Sequence, residues 1–256
     1  MATAMIELSA TAYAAELQRF KLCGRVWLAS KDIPADVQVP TAWRALLDMR
    51  DAALETSLAK MWAGVVDRLP AVRQFFDEKL RRPAVLQKEN GDLCLLYPYT
   101  VDHDDLNFFI GHPPLGDLVS DDMPPWRALP DDLRSFYQLT HNGWTFFPAN
   151  SMGPLSIGDQ TALTAKLDLT PDETRALGVN PDFVWTVFQN GGGDYLCLDL
   201  RDSAGDGSAA GRIWWHDNPA ELEPVDFWAV MNAWFEIFVE DADRRYFSEA
   251  FDRVTP

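Results

Sequence analysis

An α+β fold, an antiparallel β-sheet flanked by helices, is what this sequence predicts, behind a mainly helical N-terminal extension that contains a β-hairpin. Short apolar runs bounded by Gly, Asn, Asp and Pro recur between residues 183 and 217, the pattern of antiparallel strands joined by turns. Apolar stripes of helical period flank them at residues 129–140 and 227–238. Residues 41 to 80 also carry helical spacing, and Asn90-Gly91 follows between two apolar arms.

Taken in order, residues 7 to 22 predict a helix through Tyr13, Leu17 and Phe20, and residues 25 to 29 a strand. A loop with two prolines leads to a helical region from Thr41, the expected N-cap, to Leu80. Pro70 must break this region, because proline cannot continue the hydrogen-bond ladder. Residues 85 to 97 predict two strands about a turn at Asn90-Gly91 whose central residues both take positive φ. From Pro98 to Pro125 the chain is rich in Pro, Gly and Asp, with Asn107-Phe108-Phe109-Ile110 its one apolar island. This stretch is the expected boundary between an N-terminal region, 1–125, packed on the rest, and a second domain, 126–256.

The second half is organised around residues 126 to 147. Pro130 is placed to open a helix, Asp131 and Asp132 suit its positive end, and Asn142-Gly143 offers a left-handed stop. Leu129, Leu133, Phe136, Tyr137 and Thr140 give that helix one apolar stripe, and Trp144, Phe146 and Phe147 lead into the sheet it covers. A short edge strand is expected within 151–158 and a helix start at Thr170-Pro171-Asp172-Glu173. Strands follow at 183–188, 195–200 and 212–217, then a closing helix through Phe227, Met231, Trp234, Phe235 and Phe238.

The Leu129-Pro130 opening with acids behind it, Phe136-Tyr137 and the closing Asn142-Gly143 resemble the first helix of the SMI1/KNR4 family, the SUKH superfamily. Gly192-Gly193-Asp194-Tyr195-Leu196, then Trp214-Trp215-His216-Asp217, then the Phe-rich last helix continue the resemblance in family order over roughly residues 126 to 240. The first 125 residues exceed what the family needs. The resemblance implies a non-enzymatic binding protein of the bacterial immunity type, which blocks a cognate toxin, often a nuclease delivered by a contact-dependent or type VI system. Fungal relatives imply the alternative, a regulatory scaffold.

Composition is compatible with that implication. The net charge is −17, and residues from Trp126 onward hold 9 Lys and Arg against 21 Asp and Glu. Such a surface repels phosphate backbones and anionic lipid heads, so neither nucleic acid nor membrane is an expected partner, whereas a basic toxin surface is attracted. Charge that serves only solubility is the plainer alternative. No apolar run reaches the roughly 18 residues of a membrane span, and the first residues lack a secretion signal, so the cytoplasm is the expected location. Three dispersed cysteines, Cys23, Cys94 and Cys197, predict free thiols.

Tests for catalytic chemistry return little. The glycine-rich Asn190-Gly191-Gly192-Gly193-Asp194 leads into a strand, not a helix N-terminus, so it reads as a strand connection instead of a phosphate cradle. Asp102-His103-Asp104-Asp105 reads as a solvated turn, and no metal or other cofactor is expected. His216-Asp217 has acid–base side chains and keeps a hydrolase with a His/Asp site as the remoter alternative, but strand neighbours point to opposite faces and no nucleophile stands out. The expected partner-binding residues are Trp144, Asp194, Tyr195, Trp215, His216 and Asp217, with acids of 202–206 as further candidates.

Overall fold

Residues 84–88, 93–101 and 105–111 are rich in apolar side chains that are buried on both faces, and in the computed structural model they build the middle of a five-stranded antiparallel sheet. The structure describes residues 9–101, 105–118, 125–167, 169–203 and 208–241. The chain begins with α1 (Ala10–Arg19), N-capped by Ser9, and β1 (Gly24–Trp27). Three helices follow, α2 (Thr41–Asp48), α3 (Asp51–Met61) and α4 (Pro70–Glu78). The break at Pro70 is as expected, with proline leading α4; Pro40, not Thr41, takes the N-cap position of α2. A further break falls at Arg50, where Asp51 takes φ 47°.

The hairpin is β2 (Ala84–Lys88) and β3 (Leu93–Val101). Its loop is longer than a two-residue turn. Gly91 N donates to Lys88 O, and Gly91 alone has positive φ, because one glycine suffices when the extra residue forms a bulge. The apolar island at 107–110 is not part of a linker: it is the centre of β4 (Asp105–Gly111), which pairs along seven residues of β3. Phe108 and Phe109 are both buried, on opposite faces, so the polar alternation that marks a half-exposed strand is missing.

The segment at 126 to 147 forms a turn of 3-10 helix, then α5 (Asp131–Ser135) capped by Pro130, which passes without a break into a π-helical turn, Phe136–Thr140. It ends at Thr140 with His141 extended (φ −150°), not on the expected left-handed Asn142-Gly143 stop; Gly143, at φ 90°, lies beyond the helix against the Ser156 backbone, and β5 (Trp144–Phe147) follows. β5 pairs with β4, so the sheet order is β1-β2-β3-β4-β5, and its fifth strand comes from beyond residue 126. The sheet that the 126–147 helix leads into is therefore the N-terminal one.

The second sheet is a meander, β6 (Val184–Gln189), β7 (Tyr195–Ser203), β8 (Ala209–Trp214) and β9 (Leu222–Val225), all antiparallel. β9 carries Glu223 and Pro224 and had no alternating pattern to betray it. Before it lies α6 (Pro171–Ala176), held by the capping box of Thr170 and Glu173. The edge strand expected at 151–158 is reduced to isolated bridges, because Pro154 has no N–H and Met152 takes φ 58°. Those bridges still matter. Trp144 N donates to Pro154 O, and Met152 N and Leu155 N donate to Gln189 and Val187, so this segment laces the edge of β5 to the edge of β6.

The closing helix α7 (Phe227–Asp241) buries Phe227, Met231, Phe235 and Val239 across both sheets. It is clasped to α4: Asn232 Oδ1 accepts from Ala71 N at 2.9 Å, satisfying an otherwise orphan amide of the first turn, and Lys79 Nζ donates to Val239 O at 3.0 Å. One apolar cluster accordingly runs from Trp27 and Trp43 through Trp62, Phe75, Phe109 and Trp144 to Ile213 and Phe235. The far face of the first sheet packs on α1, and that of the second on the segment around Leu163 and Leu177.

Candidate functional site

Side-chain chemistry concentrates where the β6–β7 turn meets the end of β8. Asn190 folds the turn on itself: its Oδ1 accepts from Gly192 N at 2.8 Å and Asp194 N at 3.2 Å, and its Nδ2 donates to Asp194 Oδ2 at 2.6 Å. Gly193, at φ 108°, allows the close approach that follows, since a Cβ there would sit 3.2 Å from the His216 ring. Asp194 Oδ1 then receives His216 N at 2.9 Å and His216 Nδ1 at 2.7 Å. A buried carboxylate therefore fixes both the backbone and the ring of an exposed histidine, and leaves Nε2 facing outward.

The electrostatics follow from these bonds. Burial pushes the Asp194 carboxyl up, but donors from His216 and Asn190 outweigh it and hold the group below the ordinary carboxylate value. The Asp194 hydrogen bond raises the His216 imidazole above its ordinary value against a small desolvation penalty. Raised His216 adds stability that is complete below about pH 6.5 and is lost as pH climbs through its folded value; lowered Asp194 adds stability that is lost as pH falls through its own. The expected NMR result is a His216 midpoint above about 6.5, falling back on Asp194→Asn, while a midpoint unmoved by that substitution would show the pair to be incidental.

The six residues expected to meet a partner divide. His216 and Asp217 are exposed, and Trp215 and Tyr195 are half-buried. Asp194 acts through His216. Trp144 is 1% exposed: alternation along β5 turns it onto the face covered by α4 and α7, so it is core and cannot reach a partner in this fold. Tyr195 lies opposite Trp214 in the sheet register, and Trp214 is buried while Trp215 is not, as strand alternation requires. Asp202 is exposed and pairs with Arg212, while Asp206 lies outside the described residues.

Sequence reasoning missed several members of this surface. Asn190, which builds the turn, was signalled only by its place before three glycines. Glu223 accepts from Trp215 Nε1 at 2.9 Å, and Trp234 of α7 meets Trp215 edge-on at 6.0 Å; neither is near in sequence. Elsewhere, Cys197 is fully buried and desolvation pushes its thiol far up, so it offers no thiolate beside this site. An open groove of about 550 Å³, lined by residues including Gln18, Arg25 and Lys88, lies at the β1 edge of the first sheet, the edge away from β5. Among the described residues no three His, Cys, Asp or Glu side chains group to hold a metal ion, and no helix is long and apolar enough to cross a membrane. Residues 102 to 104 of the acidic turn lie outside the described residues.

The family described as SMI1 / KNR4 family (SUKH-1) matches residues 127–238, from the turn before α5 to the last turns of α7. Among curated proteins and among solved structures nothing matches.

Proposed function

Residues 127–238 belong to the SMI1 / KNR4 family (SUKH-1), and from that premise we propose that the chain is a non-enzymatic binding protein, an immunity protein that neutralises a cognate bacterial toxin by direct contact. The observation that supports a binding role at this site is the rim where His216, held by Asp194, stands exposed beside Asp217 and half-buried Trp215. An oriented imidazole, a carboxylate and an indole edge are anchors of the kind that carry much of the affinity at a protein interface. The net charge of −17 adds long-range attraction for a basic partner, such as the nucleic-acid-gripping surface of a nuclease. The expected localisation is cytoplasmic, where a delivered toxin would act.

A pull-down from the native host is expected to recover a toxin encoded beside this gene, and co-expression is expected to relieve the growth arrest that toxin causes. His216→Ala and Asp217→Lys should each weaken capture, by roughly 1–3 kcal/mol if these are anchors. Recovery of a cellular enzyme unlinked to the gene would replace immunity with the scaffold alternative.

A further inference from the structure

The outer face of α7 is unusual for a helix that closes a core. Its inward stripe, Phe227, Met231, Phe235 and Val239, is buried, yet the opposite side also carries apolar residues: Ala229, Ala233 and Ile237 recur every fourth residue and are exposed beside Glu236 and Glu240, with Ile237 56% accessible. Val230 and Trp234, both half-buried, extend this strip sideways to Trp215, the residue that follows β8. Glu223 grips the Trp215 indole at its margin, and Asp226, Glu236 and Glu240 are exposed on the same helix or its first turn. From Ile213 to Asp241 the chain carries seven Asp and Glu and no Lys or Arg.

An apolar strip with a one-signed rim selects against a second copy of itself, since two such faces would bring carboxylates together. It suits a segment whose apolar side chains are flanked by cations: aliphatic groups cover Ile237 and Val230, and an arginine or lysine reaches the Trp215–Trp234 pair, where ring faces and Glu223 both favour positive charge. We propose that this face of α7, together with Trp215, docks a basic amphipathic segment of a partner protein. The proposal rests on the reading of the chain as a protein-binding module and names the chemistry of what it binds. It also makes Trp215 the hinge between two parts of one surface, the His216 rim and the α7 strip.

The test uses the full chain and a synthetic helical peptide of leucine, lysine and arginine as probe, read by tryptophan fluorescence and calorimetry. Binding is expected to weaken steeply between about 0.05 and 0.5 M salt as screening shortens. Ile237→Lys and Glu236→Lys, both at exposed positions, should each weaken it roughly tenfold or more, with unchanged thermal melts. Failure of the unaltered chain to bind, or equal binding by both variants, overturns the proposal. So does a dimer in light scattering that Ile237→Lys dissociates, which would assign the face to a second copy. If the host partner is still captured by the chain and lost with His216→Ala while Ile237→Lys and Glu236→Lys leave capture intact, the binding reading survives and the α7 assignment falls.

Discussion

Replacing His141 by alanine is expected to lower the unfolding free energy by about 3–5 kcal/mol, measured by urea denaturation, a large share of the 5–15 kcal/mol typical of a domain. The residue is fully buried and sits between donors and acceptors that have no other partner of the same quality. Its Nδ1–H donates to His112 O at 3.0 Å and its Nε2 accepts from Tyr97 OH at 2.6 Å, while the Tyr97 oxygen accepts from Trp62 Nε1 at 3.1 Å. Three elements, α3's end, β3 and the chain beyond the π-helical turn, thus meet in one chain of hydrogen bonds inside the aromatic core. Alanine strands the Tyr97 O–H without an acceptor and leaves the His112 carbonyl with only the longer bond from Asn142 N at 3.3 Å, as well as opening a cavity.

The same histidine gives the fold an acid sensitivity whose sign is opposite to that of His216. Desolvation, the largest influence, drives the His141 imidazole down to about 3, against a smaller upward pull from the His112 carbonyl. The folded form therefore stays neutral while the unfolded chain takes up a proton below about pH 6.5. Stability falls as pH drops, approaching about 1.4 kcal/mol per unit, or about 2 kcal/mol between pH 7 and 5 from this residue alone. A urea midpoint that does not shift over that interval, or an equal shift in His141→Phe, would remove His141 as the cause.

Trp144→Ala should be the most damaging single change in the sheet, at about 3–5 kcal/mol. The indole lies parallel to Phe109 at 4.4 Å and takes the edges or tilted faces of Trp62 at 4.9 Å and Phe235 at 5.4 Å, so it joins β4, β5, α3's end and α7. Its N–H makes no hydrogen bond, so Trp144→Phe loses only volume and should cost far less, about 1–2 kcal/mol. Differential scanning calorimetry of the two variants separates the roles. A Trp144→Ala chain as stable as the original but deficient in partner capture would return the residue to the surface.

These two residues also mark where the sequence was and was not legible. Helical stripes in 41–80 and 227–238, the Thr170–Glu173 box and the glycine-bounded strands of the second sheet are local patterns, and local patterns can be read from one chain. The placement of β5 is not local: Trp144 looks the same whether its strand joins the sheet before it or the sheet after it, and only pairing with Gly111 decides. β4 hid for a different reason, since burial on both faces left no alternation and its flanks are turn-forming. At the site, His216 and Asp194 each stood out by chemistry, but their contact spans 22 residues of sequence and depends on a glycine that lets the ring settle against the turn.

The clasp between α4 and α7 sets a limit on how this protein can be shortened. A piece trimmed to the residues matched by the family would keep α7 but strip away the neighbours that dress its inner side: Phe75, the backbone amide answered by Asn232, and the strand against which β5 lies. What looks like an appended first half is, in mechanical terms, the missing wall of the second. The surface formed by Trp215 and Ile237 is held in place by residues well over a hundred positions upstream, and an alteration in α4 would be felt on that distant surface without touching it.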